Sequence, residues 1–464
     1  MILGVAVAGL LASPASASAH PLGNFTVNLY SGIVVEPGRL RVNYVMDMAE
    51  IPTFQEMRLI DANGDGRAEN SELSRYAVRK SATLAPGVEV AADGRRILLH
   101  ATWSEASLRP GQGGLPILRL QSVLVGQLAS TGRLQLRDGN YADRIGWREV
   151  TAVGAGGEIV RSSSVPARSV SDALLHYPKG LLSSPLHVTG ARVSFGPGRS
   201  GAVPGLPRGP DTGARPAVTG GAFARLATWS GLSFPALAVA LALALAFGAV
   251  HALLPGHGKT IMAAYLVGAG GRAGQAIQVG LAVAFMHTVS VLALGLVVLM
   301  LTAYAPDQAY PWLTLASGLF VLGLGAGLMW VRGRGRRSQG HPDQHDHDHG
   351  HGHEHPSPDA TRPLSRRSLA GLALAGGILP SPTALVVLLS TVHQHRVAFG
   401  LSLIVAFSVG LAAALVAVGL LALRARAAIA PRLGGRLAYA IPLISATAIL
   451  VVGVVLVTEA VARL

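Results

Sequence analysis

Six apolar runs fill the second half of this chain: Ser233 to Leu254, Gln275 to Leu301, Pro311 to Val331, Leu369 to Thr391, Val397 to Leu423 and Leu437 to Thr458. A helix needs about 20 residues to cross a hydrocarbon layer of ~30 Å, and each run reaches that length. Inside lipid a segment must satisfy its own backbone polar groups, which a helix does. Only 13% of the residues are charged, against roughly 25% in an ordinary soluble domain. The runs therefore read as membrane spans. The expected fold is a polytopic α-helical membrane protein with six transmembrane helices.

Ahead of these spans, Ile2 to Ala12 is short and apolar, Ser13-Pro14 interrupts it, and Ala17-Ser18-Ala19 supplies a cleavage pattern. Residues 1–19 thus read as a secretory signal. Residues 20–195 are expected to form a small β-rich extracytoplasmic domain. Phe25, Val27 and Leu29 alternate with polar neighbours, Pro37-Gly38 offers a turn, and Leu40, Val42, Tyr44 and Met46 alternate again, which is a hairpin pattern. Further strands are expected near 96–103, 115–125 and 132–136, with a helical piece near 50–82. From Gly196 to Gly221, 13 of 26 positions are Gly or Pro, too many for packed secondary structure, so 196–232 reads as a linker.

A net charge of +14 could suggest nucleic acid, but aromatics make up 5% of the chain and the cations lie in short loops between apolar runs. Their placement follows the positive-inside rule. With the first domain exported, the inner loops carry Lys259 and Arg272, then Arg332, Arg334, Arg336, Arg337, Arg362, Arg366 and Arg367, then Arg424, Arg426, Arg432 and Arg436; the outer loops carry Arg396. The expected location is the cell membrane, with residues 20–232 extracytoplasmic, a lipid bilayer as partner and no nucleic acid.

The spans also repeat. Leu254-Pro255-Gly256-His257 corresponds to Leu379-Pro380-Ser381-Pro382, and Ala284-Phe285 to Ala406-Phe407, at offsets of 125 and 122 residues. Three helices per half is an odd number, so the repeats 233–331 and 369–464 are expected in inverted orientation, an arrangement that places binding sites at broken helices. Residues 332–368 form the cytoplasmic loop between them.

The chain has no cysteine. Disulfides, thiolate-bound zinc, iron–sulfur clusters and thiol redox relays are thereby excluded. Ionisable groups within spans are functional candidates, and His251, His257 and His287 are three such groups. Six helical residues turn the chain by ~600°, which leaves His251 and His257 on different faces of an unbroken helix. Pro255 and Gly256 can open the helix there and let the imidazoles converge, and Pro380 and Pro382 mark the matching break. An imidazole set without sulfur suits Ni(II), Co(II), Zn(II) or Cu(II) better than Cu(I). Gly258-Lys259-Thr260 resembles the end of a phosphate-binding loop, but Leu253 stands where the first Gly is required.

Three further sets could hold metal. The inner loop carries His341, His345, His347, His349, His351, His353 and His355 among acidic residues, a composition that binds divalent ions loosely. His393 and His395 sit in the outer loop between the fourth and fifth spans. Asp61, Asn63, Asp65, Arg67, Glu69 and Glu72 occupy positions 1, 3, 5, 7, 9 and 12 of a calcium-loop pattern with Gly66 at its turn, which makes Ca(II) a candidate ligand of the exported domain. His20, if it becomes the new amino terminus, offers an α-amine and an imidazole.

The His251 to Thr260 stretch, its partner Leu379-Pro380-Ser381-Pro382-Thr383 and the His-rich loop together resemble the NicO family of nickel/cobalt efflux proteins over about residues 233 to 460. The segment His20-Pro21-Leu22-Gly23-Asn24-Phe25 is similar to an extracytoplasmic extension of actinobacterial members. The resemblance implies a six-helix permease, not an enzyme, that expels Ni(II) and Co(II), with His251 and His257 matching the family's first-helix motif. The acidic H-x4-D-H signature of uptake permeases is absent, and Pro382 stands where the first half has His257, so the site is expected to be asymmetric. With no nucleotide-binding motif, coupling to an ion gradient is expected. An importer using the same ligands and a membrane metal sensor are the rival readings.

Overall fold

The computed structural model describes residues 21–129, 131–182, 184–199, 206, 226–227, 233–253, 272–300, 306–337, 371, 374, 376–429 and 435–461. It divides into two units, one of Met1–Ser230 with Val297–Gln308 and Val386–Val397, the other of Gly231–Leu296, Ala309–Leu385 and Ala398–Leu464.

Among the described residues, the first unit holds ten strands in two sheets. β1 (Val27–Glu36) and β2 (Arg39–Met48) form the expected hairpin. Pro37 fixes φ at the turn and Gly38 takes φ +71°, a conformation glycine adopts without steric cost. α1 (Glu50–Ile60) and α2 (Asn70–Leu84) follow, then β3 (Val88–Ala92), β4 (Arg95–Ile97), β5 (His100–Pro110), β6 (Pro116–Gln127), β7 (Gly132–Asp138), β8 (Arg148–Gly154), β9 (Glu158–Ser163) and β10 (Gly190–Pro197). One sheet has the order β5-β6-β2-β1-β8, the other β4-β3-β7-β10-β9. All pairings are antiparallel except β1 with β8.

Alternation decides what each face buries. Leu29, Val42, Met46, Leu120 and Leu124 from the first sheet share a core with Leu134, Leu136, Val193 and Phe195 from the second and with Tyr76 and Leu84 of α2. The opposite face of the first sheet is also covered: Val45 packs with Trp147, Ala173 and Leu174. Asp172, Ala173 and Leu174 all have positive φ, a left-handed run that needs outside support. Arg119 supplies it, donating to the carbonyls of Ala173 at 2.8 Å and Leu174 at 3.2 Å.

Asp138 is a buried carboxyl at the end of β7. It accepts from the Asn140 N–H at 3.0 Å and from Ser31 at 3.3 Å. Burial pushes it above its ordinary value near 3.8. A raised carboxyl binds its proton more tightly when folded, so its contribution is complete below the unfolded value and is lost as pH rises through the folded one. Asp138→Asn should therefore gain unfolding midpoint relative to the parent as pH rises above the ordinary carboxyl value near 3.8. Thermal unfolding followed by tryptophan fluorescence checks this, and a pH-independent difference refutes it.

The second unit is helical. α3 (Phe234–Leu253), α4 (Ala273–Met300) and α7 (Val397–Ile429) are long and apolar, as is Ile444–Val461 within α8 (Gly435–Val461). These four are long enough to cross a membrane. The remaining two apolar helices are shorter: Pro311–Gly327 within α5 (Pro306–Arg337), and α6 (Pro382–His393), which from Val386 on is grouped with the first unit. The fourth run is interrupted: residues 376 and 377 are helical, 378–381 are not, and α6 starts at Pro382. Pro380 thus stands in the break, whereas Pro382 opens a helix, the position where its missing N–H costs nothing.

Glycines set the helix spacing. A Cβ on Gly248 of α3 would run into the Phe407 carbonyl of α7, and one on Gly410 of α7 into the Leu245 carbonyl of α3. Gly318 and Gly325 of α5 press on α8 at Leu456 and Leu450, and Gly453 of α8 on Leu322. Small residues at such crossings let backbones approach closely, which is how helices associate without a hydrophobic driving force.

Candidate functional site

His251 lies in the last turn of α3 and His287 in the middle of α4. Gly248 and His251 are three residues apart and share a helix face, so the close approach allowed by Gly248 carries His251 toward α7. The imidazoles of His251 and His287 stand 6.0 Å apart between centroids. Phe407 closes a triangle of rings, 5.6 Å from His251 and 6.2 Å from His287. His287 is 6% exposed and Phe407 2%, whereas His251 is partly exposed.

Hydrogen bonds fix the walls of this cluster. Thr288 and Ser408 share one of 2.5 Å between α4 and α7. Ser290 donates to the Gly377 carbonyl at 2.8 Å, tying α4 to the interrupted fourth run. Residues 281–290 and 401–410 follow nearly the same order of buried and exposed positions. Thr288 and Ser408, which meet across the two helices, occupy equivalent positions in those two stretches. His287 and Phe407 stack on each other, and only the imidazole can bind a metal.

Among the described residues, no three His, Asp or Glu side chains gather in one place. His257, Pro255 and Gly256, His20, and His341, His345, His347, His349, His351, His353 and His355 lie outside the described residues, as do the expected signal and most of the linker. His393 and His395 belong to the first unit, where the His393 ring meets Phe54 edge-on at 6.4 Å.

The calcium-loop residues do form a turn between two helices, but their oxygens serve the backbone. Asp61 accepts from the N–H groups of Gly64 and Gly66 at 2.8 Å each. Asn63 accepts from Asp65 at 2.9 Å and Asp65 from Arg67 at 2.8 Å. Glu72, expected as the bidentate closer, accepts from Ala62 at 2.9 Å with one oxygen and from Glu69 at 3.1 Å with the other, completing a capping box with Glu69. The pattern here builds a helix N-terminus, and calcium finds no support in it.

Phe407, Thr288, Ser408 and Gly377 were not singled out as site residues in the sequence. Thr288 and Ser290 carried the clearest signal, as polar residues beside His287 in an apolar run.

Residues 237–368 match the NicO family model, described as a high-affinity nickel-transport protein. The nickel/cobalt efflux system RcnA of Shigella sonnei is 34% identical over 207 residues, covering 38% of this chain and 75% of that protein. RcnA of Escherichia coli K12 is 33% identical over 207 residues, with the same coverage of 38% and 75%. A Methanocaldococcus jannaschii protein, named provisionally as a nickel/cobalt efflux system, is 27% identical over 207 residues, 44% of this chain and 86% of its own length. No solved structure matches the chain. The matched proteins are transporters, not enzymes, and this chain, with its apolar helices and neighbouring histidine rings, belongs to the NicO family of nickel/cobalt transport proteins.

Proposed function

We propose that this protein exports divalent nickel or cobalt from the cytoplasm through a path that passes His251 and His287. The observation that carries this reading is the convergence of those two imidazoles from separate helices in a chain whose relatives are named efflux systems. A metal–imidazole bond is about 2.0–2.1 Å, which puts a ring centroid ~3.2 Å from the ion. Two rings 6.0 Å apart can therefore share one ion. His257, reaching back through an opening at Pro255 and Gly256, completes the set. Phe407 supplies no ligand and shields one side of the ion from water. Few ligands suit transport, because an ion held by a full coordination shell does not leave.

The proposed topology is six spans in two inverted repeats, with the β-rich domain outside and the loop carrying His341 to His355 inside. The reciprocal packing of α3 on α7 and of the fourth run on α4 supports the repeat, since each half's first helix meets the other half's second. Export is driven by an ion gradient, and the His-rich loop collects metal at the cytoplasmic mouth.

Metal content of nickel- or cobalt-stressed cells, with and without the protein, tests the reading. Lower content that returns to control level with His251→Ala supports export through this site. Higher content means import, and no change favours a sensor. Deleting 341–355 should raise the metal concentration needed for half-maximal flux by about tenfold, the range typical of outer-shell ligands, while leaving maximal flux intact. Complete loss of flux would make the loop the core site instead.

A further inference from the structure

The outward face of the second sheet carries a recess that the transport reading does not use. Strand register places its side chains. Arg96 of β4 stands opposite Ala91 of β3, which is opposite Gln135 of β7, which is opposite Arg192 of β10. In the next row Arg137 of β7 lies between Glu89 and Gly190. The small residues Ala91, Gly94 and Gly190 form the floor of an open trough of about 760 Å³, and Arg96, Arg137 and Arg192 form its sides. Ser164 and Thr189 add hydroxyl groups to the lining.

Arg137 and Arg192 stand on neighbouring strands, where like charges repel, and Arg96 lies three strands from Arg192, at about 4.8 Å per strand, at the other end of the recess. Glu89 is the one carboxylate in the lining. Among the described residues, none of the three guanidinium groups is in an ion pair. Guanidinium forks match the oxygens of phosphate in pairs, and hydroxyl and amide donors suit the oxygens left over.

We propose that this trough binds a soluble, phosphate-bearing polyanion. The recess favours a soluble ligand over a bilayer surface, because a flat headgroup layer reaches projecting side chains and not a floor of Ala and Gly. The ligand lies across the strands from Arg96 to Arg192, with Arg137 on its flank.

The test uses the full-length protein in phosphatidylcholine nanodiscs, with tripolyphosphate as probe in isothermal titration at near-physiological salt. Arg137→Gln with Arg192→Gln should weaken binding at least about tenfold, as expected for loss of charge-assisted hydrogen bonds. Arg75→Gln with Arg168→Gln, which removes the same charge elsewhere on the domain, should leave it within about twofold, as for a distant site. Absence of binding, or equal weakening by both pairs, overturns the proposal. So does capture of phosphatidylglycerol vesicles that tripolyphosphate fails to displace, which would assign the arginines to a lipid surface.

Discussion

Nickel and cobalt flux should fall by more than about a hundredfold in either His251→Ala or His287→Ala, because loss of a direct ligand exceeds the 10–100-fold penalty of losing an outer-shell partner. The two imidazoles face each other at 6.0 Å, so each leaves the other unable to hold the ion alone. The double variant should be no worse than either single one, since groups that act as a unit are not additive. Uptake of radioactive nickel into inverted vesicles, normalised to the amount of protein in the membrane, gives the measurement. Gln, which keeps bulk but not the imidazole, should fail equally at either position. Flux at the parental level in His287→Ala would remove the pair from the path.

A comparable loss is expected from Gly248→Val, which touches neither histidine. The Phe407 carbonyl occupies the space a side chain at 248 would need, and the contact is backbone, which cannot rotate away. α3 must then draw back from α7 and take His251 with it. Overpacking of this kind costs typically 1–3 kcal/mol, so the unfolding temperature should fall along with the flux. Gly410→Val should behave alike, because the Leu245 carbonyl lies in the corresponding place. Gly323→Ala is the control, since nothing stands within 4 Å of its new Cβ. Parental flux and stability in Gly248→Val would show that the helices need not touch there.

The features legible in the sequence were those with contrast against their surroundings. His251 and His287 stand out because an ionisable group in an apolar run is rare. Phe407 completes the same cluster and was invisible as a site residue, since an aromatic ring among Val, Leu and Ala has no contrast at all. Gly248 was hidden for a different reason: the chain has 57 glycines, and only the neighbouring helix reveals which of them lies at a crossing. In the β-rich domain, β1, β2, β6 and β7 were read from alternation or apolar content. β8 was missed because residues 148–152 are all buried, which erases the two-residue period. The calcium pattern stays undecided by spacing, because the oxygens that would bind an ion are the same ones that cap a helix.

The parallel pairing of β1 with β8, Leu29 opposite Arg148, governs the order in which the domain can assemble. A chain that emerges amino terminus first presents β1 and β2 early, yet one edge of β1 stays open until the whole stretch through Gly154 has followed. Contacts that distant in sequence carry a large closure entropy and form late. The first sheet is thus completed in a slow closing step, and an apolar strand waits exposed in the meantime. Any factor that shields a lone strand edge should raise the yield of folded protein, and truncations before Gly154 should aggregate where longer ones survive.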